Sequence, residues 1–244
     1  METIKIIISI LLITFIAGCS KDGASSSSSA SSSNGSLTRF ITVGNYLYIV
    51  DLSNLNTYDI SNPANPVFKT KTLIGSNIET ILPYADKLFI GSNQNMFIYS
   101  LANPESPTKI SAVPYFVRGR DPIVVKDTVS YSTLRNFGTG GNLNVHNVKN
   151  PAAPIFSGTI ALSSPYGLGI KDSALYICEG ANGLRIFSIN KPLLPSFKKL
   201  LNPTETFYDV IVENNILICY IKGGIYLYDV TDMFNPIFIS FIKN

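Results

Sequence analysis

The chain has 244 residues, of which 45% are hydrophobic and only 14% charged, with a net charge of +3 and no tryptophan. Charge this sparse, with no Lys/Arg cluster longer than Lys198-Lys199, argues against a nucleic-acid surface. One histidine, His146, and the two cysteines of the repeats, Cys178 and Cys219, lie in separate copies and cannot furnish an ordinary zinc site, so no metal and no cofactor are expected.

After Met1-Glu2-Thr3-Ile4-Lys5 comes an apolar run from Ile6 to Ile16, broken only by Ser9 and Thr14. It falls short of the roughly 20 residues that cross a bilayer but suits the apolar region of a signal peptide. Ile16-Ala17-Gly18-Cys19 directly follows, and it resembles the lipobox of bacterial lipoproteins. The resemblance implies a lipoprotein signal peptide over 1–18 and acylation of Cys19. The partner there would be a membrane, held by more than one acyl chain. Residues 19–36 contain Ser25 to Ser29 and Ser31 to Ser33 and nothing able to build a core. They read as a lipid-anchored, Ser-rich tether reaching about 20 to 25 Å as a Gly/Ser coil. From Leu37 to Asn244 no comparable shift in composition occurs, and one domain is expected over 37–244.

That domain carries five copies of one pattern. The second of two spaced prolines recurs at Pro66, Pro107, Pro154, Pro195 and Pro236, at steps of 41, 47, 41 and 41 residues. The first stands at Pro63, Pro104, Pro151 and Pro192, with Met233 in the fifth copy. An aromatic column runs through Tyr58, Tyr99, His146, Phe187 and Tyr228, and an aliphatic one through Ile60, Leu101, Val148, Ile189 and Val230. A period near 40 marks units that bury their apolar faces on their neighbours.

In the fourth copy the strands read as Gly167 to Ile170, Leu175 to Cys178, Leu184 to Ile189 and Ser196 to Leu200, separated by turn formers. Four strands in about 41 residues make one propeller blade, and no stretch offers an apolar helical stripe. The fold class is therefore all-β: a β-propeller of five four-stranded blades. A first strand near Arg39 to Val43 and a last near Ile237 to Ile242 predict blades of continuous sequence, and a ring closed by packing blade 1 on blade 5.

Tyr58-Asp59-Ile60-Ser61-Asn62-Pro63-Ala64-Asn65-Pro66, Gly183-Leu184-Arg185-Ile186, Asp209-Val210 and Tyr228-Asp229-Val230 together resemble the LVIVD-repeat β-propeller proteins of bacterial and archaeal cell surfaces. The resemblance spans 37–244 and implies a surface-located propeller. It brings no catalytic residues. Ser100 and Asn147 replace the repeat aspartate in copies two and three.

His146 fills the aromatic column and is expected in the core, and Cys178 and Cys219 are expected as buried thiols. Aligning Asn45, Asp86, Asp127, Asp172 and Asn214 as one turn puts Arg39, Glu79, Thr80, Arg120, Asp121, Tyr166, Tyr208 and Asp209 at the starts of the innermost strands. There they would ring one mouth of the channel. The 47-residue step falls at Thr133 to Gly141, where Arg135 and Phe137 suit a mobile binding loop on that same face.

The ring reads first as a satisfied salt-bridge ring or a solvated rim; a binding site comes next, ahead of catalysis. A glycosidase would use Glu79, Asp121 and Asp209, but Arg39 and Arg120 disfavour the raised pKa of a general acid. The expectation is a non-enzymatic binding or scaffolding module of the cell envelope, at the outer membrane or cell surface. It would be a monomer with a protein or glycan partner. A glycoside hydrolase and a purely structural envelope protein are the alternatives.

Overall fold

The computed structural model describes residues 37–115, 122–136 and 140–244, so the signal segment, Cys19, the Ser-rich tether, Arg120, Asp121 and Phe137 lie outside the described residues. Twenty strands form five antiparallel four-stranded sheets, each from continuous sequence. Blade 1 holds β1 (Phe40–Val43), β2 (Tyr46–Val50), β3 (Asn54–Asp59) and β4 (Val67–Leu73). Blade 2 holds β5 (Ile78–Tyr84), β6 (Lys87–Ser92), β7 (Asn95–Ser100) and β8 (Thr108–Pro114). Blade 3 holds β9 (Ile123–Lys126), β10 (Val129–Asn136), β11 (Gly140–Asn147) and β12 (Ile155–Leu162). Blade 4 holds β13 (Leu168–Lys171), β14 (Ala174–Cys178), β15 (Leu184–Ser188) and β16 (Ser196–Leu201). Blade 5 holds β17 (Phe207–Glu213), β18 (Ile216–Ile221), β19 (Gly224–Asp229) and β20 (Ile237–Lys243). The five-bladed, all-β architecture read from the repeat is the one observed.

Local chemistry sets each blade. The hairpin between first and second strands turns on Gly44, Ala85, Asp127, Asp172 or Asn214, all at φ between 48° and 56°. Turns that demand positive φ match the twist of the strands they join, and favour Gly, Asn and Asp. This corrects the sequence alignment, which set Asn45 and Asp86, one residue further on, level with Asp127. The aromatic column lies at a bulge where the third strand meets the fourth, in all five blades. There its rings meet the outer strand edge-on: Tyr58 on Phe68, His146 on Phe156, Phe187 on Phe197 and Tyr228 on Phe238, with centroids 5.4 to 5.9 Å apart.

The polar column beside it is structural. Asp59, Ser100, Asn147, Ser188 and Asp229 each accept a backbone N–H from two residues on. Asn62, Asn103, Asn150 and Asp232 do the same in the proline turn. Ser100 and Asn147 thus perform the same turn-closing work as the repeat aspartate.

Blades pack face to face. The forward face of each blade, toward the next in sequence, meets the rear face of that next blade. Ile41, Tyr48 and Leu55 meet Ile81, Leu88, Ile90 and Phe97; Leu82, Phe89, Met96 and Ile98 meet Ile123 and Val125. Tyr131, Leu143 and Val145 meet Leu168, Leu175 and Phe187; Tyr176, Cys178 and Ile186 meet Val210, Leu217 and Cys219. A tyrosine hydroxyl latches three of these seams by donating to the carbonyl in the next blade's first-proline slot. The latches run from Tyr48 to Pro104, Tyr131 to Pro192 and Tyr176 to Met233, at 2.7 to 2.8 Å. Phe89 replaces the tyrosine in blade 2, and there Ser111 donates to Pro151.

The expected closure of blade 1 on blade 5 is not formed. Among the described residues no hydrophobic cluster joins these blades. Phe40 on blade 1 is 63% exposed and Tyr220 on blade 5 is 50% exposed, whereas Ile81, equivalent to Phe40, is 2% exposed. Among the described residues the five blades form an arc, and the end faces of blades 1 and 5 pack against no other blade. Repetition told how each blade joins the next, but the angle accumulated over five seams is a tertiary quantity.

His146 is buried as expected, 3% exposed. Cys178 and Cys219 are buried free thiols. They are not on equivalent faces, as their 41-residue spacing suggested. Cys178 is on the forward face of blade 4 and Cys219 on the rear face of blade 5, in one cluster. The one-residue shift in the turn column flips the side of the sheet.

Candidate functional site

The mouth edge gathers the starts of the first strands and the hairpins between second and third strands, opposite the proline turns. Over blades 3 to 5 it carries a continuous row of side chains. The guanidinium of Arg135, near the end of β10, sits 3.9 Å from the centre of the Tyr166 ring. Tyr166 meets Tyr208 edge-on at 5.5 Å, and Tyr208 meets Tyr220 at 5.4 Å. A cation over a tyrosine face and edge-to-face rings are both favourable arrangements.

The sequence builds this row locally. Thr133 donates its hydroxyl to the Tyr166 carbonyl at 2.6 Å, tying blade 3 to the entry of blade 4. Gly180 lies at φ +53°, and a Cβ there would stand 2.8 Å from the Tyr166 ring, so only glycine lets the ring lie against the hairpin. At Gly167 a Cβ would meet Asp209 at 1.9 Å, so Asp209 is seated in the seam between blades 4 and 5.

Of the residues expected at the mouth, Arg135, Tyr166, Tyr208 and Asp209 are brought together. Arg39 and Glu79 lie on blades 1 and 2, further round the arc, with Arg39 exposed and Glu79 half-buried. Thr80 is buried in blade 2. Arg120, Asp121 and Phe137 lie outside the described residues. The segment expected to be a mobile loop is mostly strand: β10 and β11 pair out to Asn136 opposite Gly140. Residues 133–136 therefore extend β10 along β11 and carry Arg135 out to the neighbouring blade.

Two residues of the mouth edge were missed from sequence. Tyr220 ends the row from β18. Glu179 follows β14 and is fully buried. It accepts the backbone N–H groups of Ser163 at 2.8 Å and Ser164 at 3.3 Å. Its other oxygen is 2.9 Å from Arg185 Nε, an ion-pair distance whose N–H points off the hydrogen-bond line. Asp51, at the same place in blade 1, accepts N–H groups from Ser53 and Asn54, which hold its carboxyl down at about 2. Ser92 does the like in blade 2. A polar residue just past the second strand would have been the signal, but the side chain there is Asp, Ser or Glu in only three blades.

Chemically, Asp51 and Glu179 are engaged in turns and pairs, a poor starting point for a general acid. No group of three or more His, Cys, Asp and Glu that could hold a metal occurs among the described residues. What the edge presents is a row of ring faces and edges beside a cation. On the opposite edge a cleft of about 160 Å³ lies between blades 2 and 3, lined by Tyr84, Phe89, Asp127 and Pro151 where the tyrosine latch is missing.

Residues 38–73, the first blade, match the LVIVD repeat. No curated protein sequence matches the chain. Among solved structures the chain is similar to the periplasmic gluconolactonase PpgL of Pseudomonas aeruginosa, with TM-score 0.67 and 11% identity over 82% of this chain and 68% of that one. It is similar to BamB of Moraxella catarrhalis, with TM-score 0.61 and 8% identity over 77% and 55%. It is also similar to the computationally designed Ika8 protein, with TM-score 0.62 and 9% identity over 83% and 60%. At such identities these likenesses establish the propeller fold alone, and the chain spans only 55% of BamB and 60% of Ika8.

Proposed function

We propose that this protein is a non-enzymatic binding module of the bacterial cell envelope, anchored through acylated Cys19 and held off the membrane by the 19–36 tether. Its partner is an extended glycan or protein segment lying along the mouth edge of blades 3 to 5. The observation that carries the reading is the unbroken row Arg135, Tyr166, Tyr208, Tyr220, spanning three blades with half-exposed rings. Rigid tyrosines provide large contact area at low entropic cost and are enriched where partners bind. The lipobox-like Cys19 and the LVIVD match to blade 1 support the envelope setting.

The test is a photo-reactive side chain in place of Tyr208 in intact cells, with identification of what it captures. Tyr166→Ala should weaken capture at least about tenfold, the loss of one stacked aromatic anchor. Capture that Tyr166→Ala and Arg135→Ala leave unchanged would overturn the site. Hydrolysis of a lactone or glycoside by the purified chain would overturn the non-enzymatic reading, and unchanged fatty-acid labelling of Cys19→Ala would remove the anchor.

A further inference from the structure

The seam between blades 2 and 3 departs from the repeat twice at one place. Phe89 stands where blades 1, 3 and 4 carry the latching tyrosine. Lys149, two residues before the first-proline slot of its turn, stands where the other copies carry Ser61, Ala102, Asn190 and Thr231. Both residues line the cleft of about 160 Å³ on the proline-turn edge, together with Tyr84, Val125, Asp127 and Val148.

The floor of this cleft is apolar. Phe89, Val125 and Val148 are 2 to 9% exposed, and the volume is close to the roughly 150 Å³ that holds a benzene ring. The rim is charged. Val148 donates its N–H to the Thr128 carbonyl at 2.8 Å, which keeps Lys149 beside the hairpin that bears Asp127. Asp127 gives its backbone N–H to the Tyr84 hydroxyl at 2.6 Å, so that hydroxyl acts as acceptor there and its own proton is available to a ligand. Lys87 is neutralised by Asp86, but neither Lys149 nor Asp127 forms an ion pair among the described residues.

We propose that this cleft binds a small zwitterion with an apolar side chain, an aromatic or branched aliphatic α-amino acid. The side chain lies on Phe89, Val125 and Val148, the carboxylate meets Lys149 and the Tyr84 hydroxyl, and the ammonium meets Asp127. A simple carboxylate would face Asp127 unmatched, and a simple amine would face Lys149. A zwitterion answers both charges above an apolar floor. The site lies on the edge opposite the row from Arg135 to Tyr220 and does not depend on what that row binds.

Saturation-transfer NMR on the full-length chain in deuterated detergent should show L-phenylalanine and L-leucine binding with dissociation constants of about 1 mM, the range for ligands of this size. Glycine, 3-phenylpropanoate and phenethylamine should each bind at least about fivefold more weakly, since they lack the side chain, the ammonium and the carboxylate respectively. Lys149→Glu should weaken L-phenylalanine about fivefold and Asp127→Asn about threefold, whereas Lys109→Glu, outside the cleft, should not. Lys149 and Asp127 are both exposed, and Asn214 holds the equivalent turn of blade 5 at the same φ of 52°, so these variants should fold. Absence of saturable binding, equal binding of any of the three lesser probes, or binding that neither Lys149→Glu nor Asp127→Asn weakens overturns the proposal.

Discussion

Lowering the pH from 7 to 4.5 should destabilise the propeller chiefly through His146. The imidazole is 3% exposed, its Nδ1 has no hydrogen-bond partner, and its ring is packed between Phe156 at 5.4 Å and Tyr115 at 6.4 Å. Burial among these groups favours the neutral form and pushes the pKa down from 6.5 to about 4. The unfolded chain therefore takes up the proton near pH 6.5 while the folded chain resists until about pH 4. Stability is at full strength above pH 6.5 and declines as the pH falls toward 4. At pH 4.5 the difference in proton binding amounts to about 2 to 3 kcal/mol, a sizeable share of a domain's whole stability. Asp51, held at about 2, loses its contribution only below 3.8, outside this window. Urea unfolding of wild type and His146→Phe at pH 7 and 4.5 measures the effect. Phenylalanine already stands in this column at Phe187, where it meets Phe197 edge-on, so the variant should fold. The wild type should lose about 2 to 3 kcal/mol more than the variant between the two pH values. Equal losses would refute the assignment of the acid sensitivity to this residue.

Tyr176→Phe, which removes the latch to the Met233 carbonyl, should cost about 1 kcal/mol in thermal unfolding, because a part-buried hydrogen bond is lost. Gly167→Ala should cost about 2 to 3 kcal/mol, since its Cβ would run into both the carboxylate and the Cα of Asp209, at 1.9 and 2.9 Å. Cys178 and Cys219, both fully buried with their thiols pushed well up by that burial, should resist maleimide in the folded protein and react in urea. Labelling of either in the native state would mean that blades 4 and 5 separate readily.

The sequence by itself determined the blade. The period, the paired prolines and the aromatic column repeat because each blade must solve the same local problem: a positive-φ hairpin, a bulge and a closed proline turn. Such solutions depend on a few neighbouring residues, so they are legible in a line of letters. Burial of His146 followed from its place in a column of rings, and Tyr166, Tyr208 and Asp209 from their spacing to a turn. The facing of Cys178 and Cys219 did not follow, because one residue of misalignment in a strand exchanges its two sides. Tertiary structure alone decided that Arg135 rides an extended hairpin onto Tyr166, that Tyr220 completes the row, and that Glu179 is spent on the crossover at Ser163 and Ser164. It alone decided that, among the described residues, blade 1 does not close on blade 5. Each of these depends on the angle between neighbouring sheets, which is set by how whole faces interlock across a seam rather than by any residue's own preference.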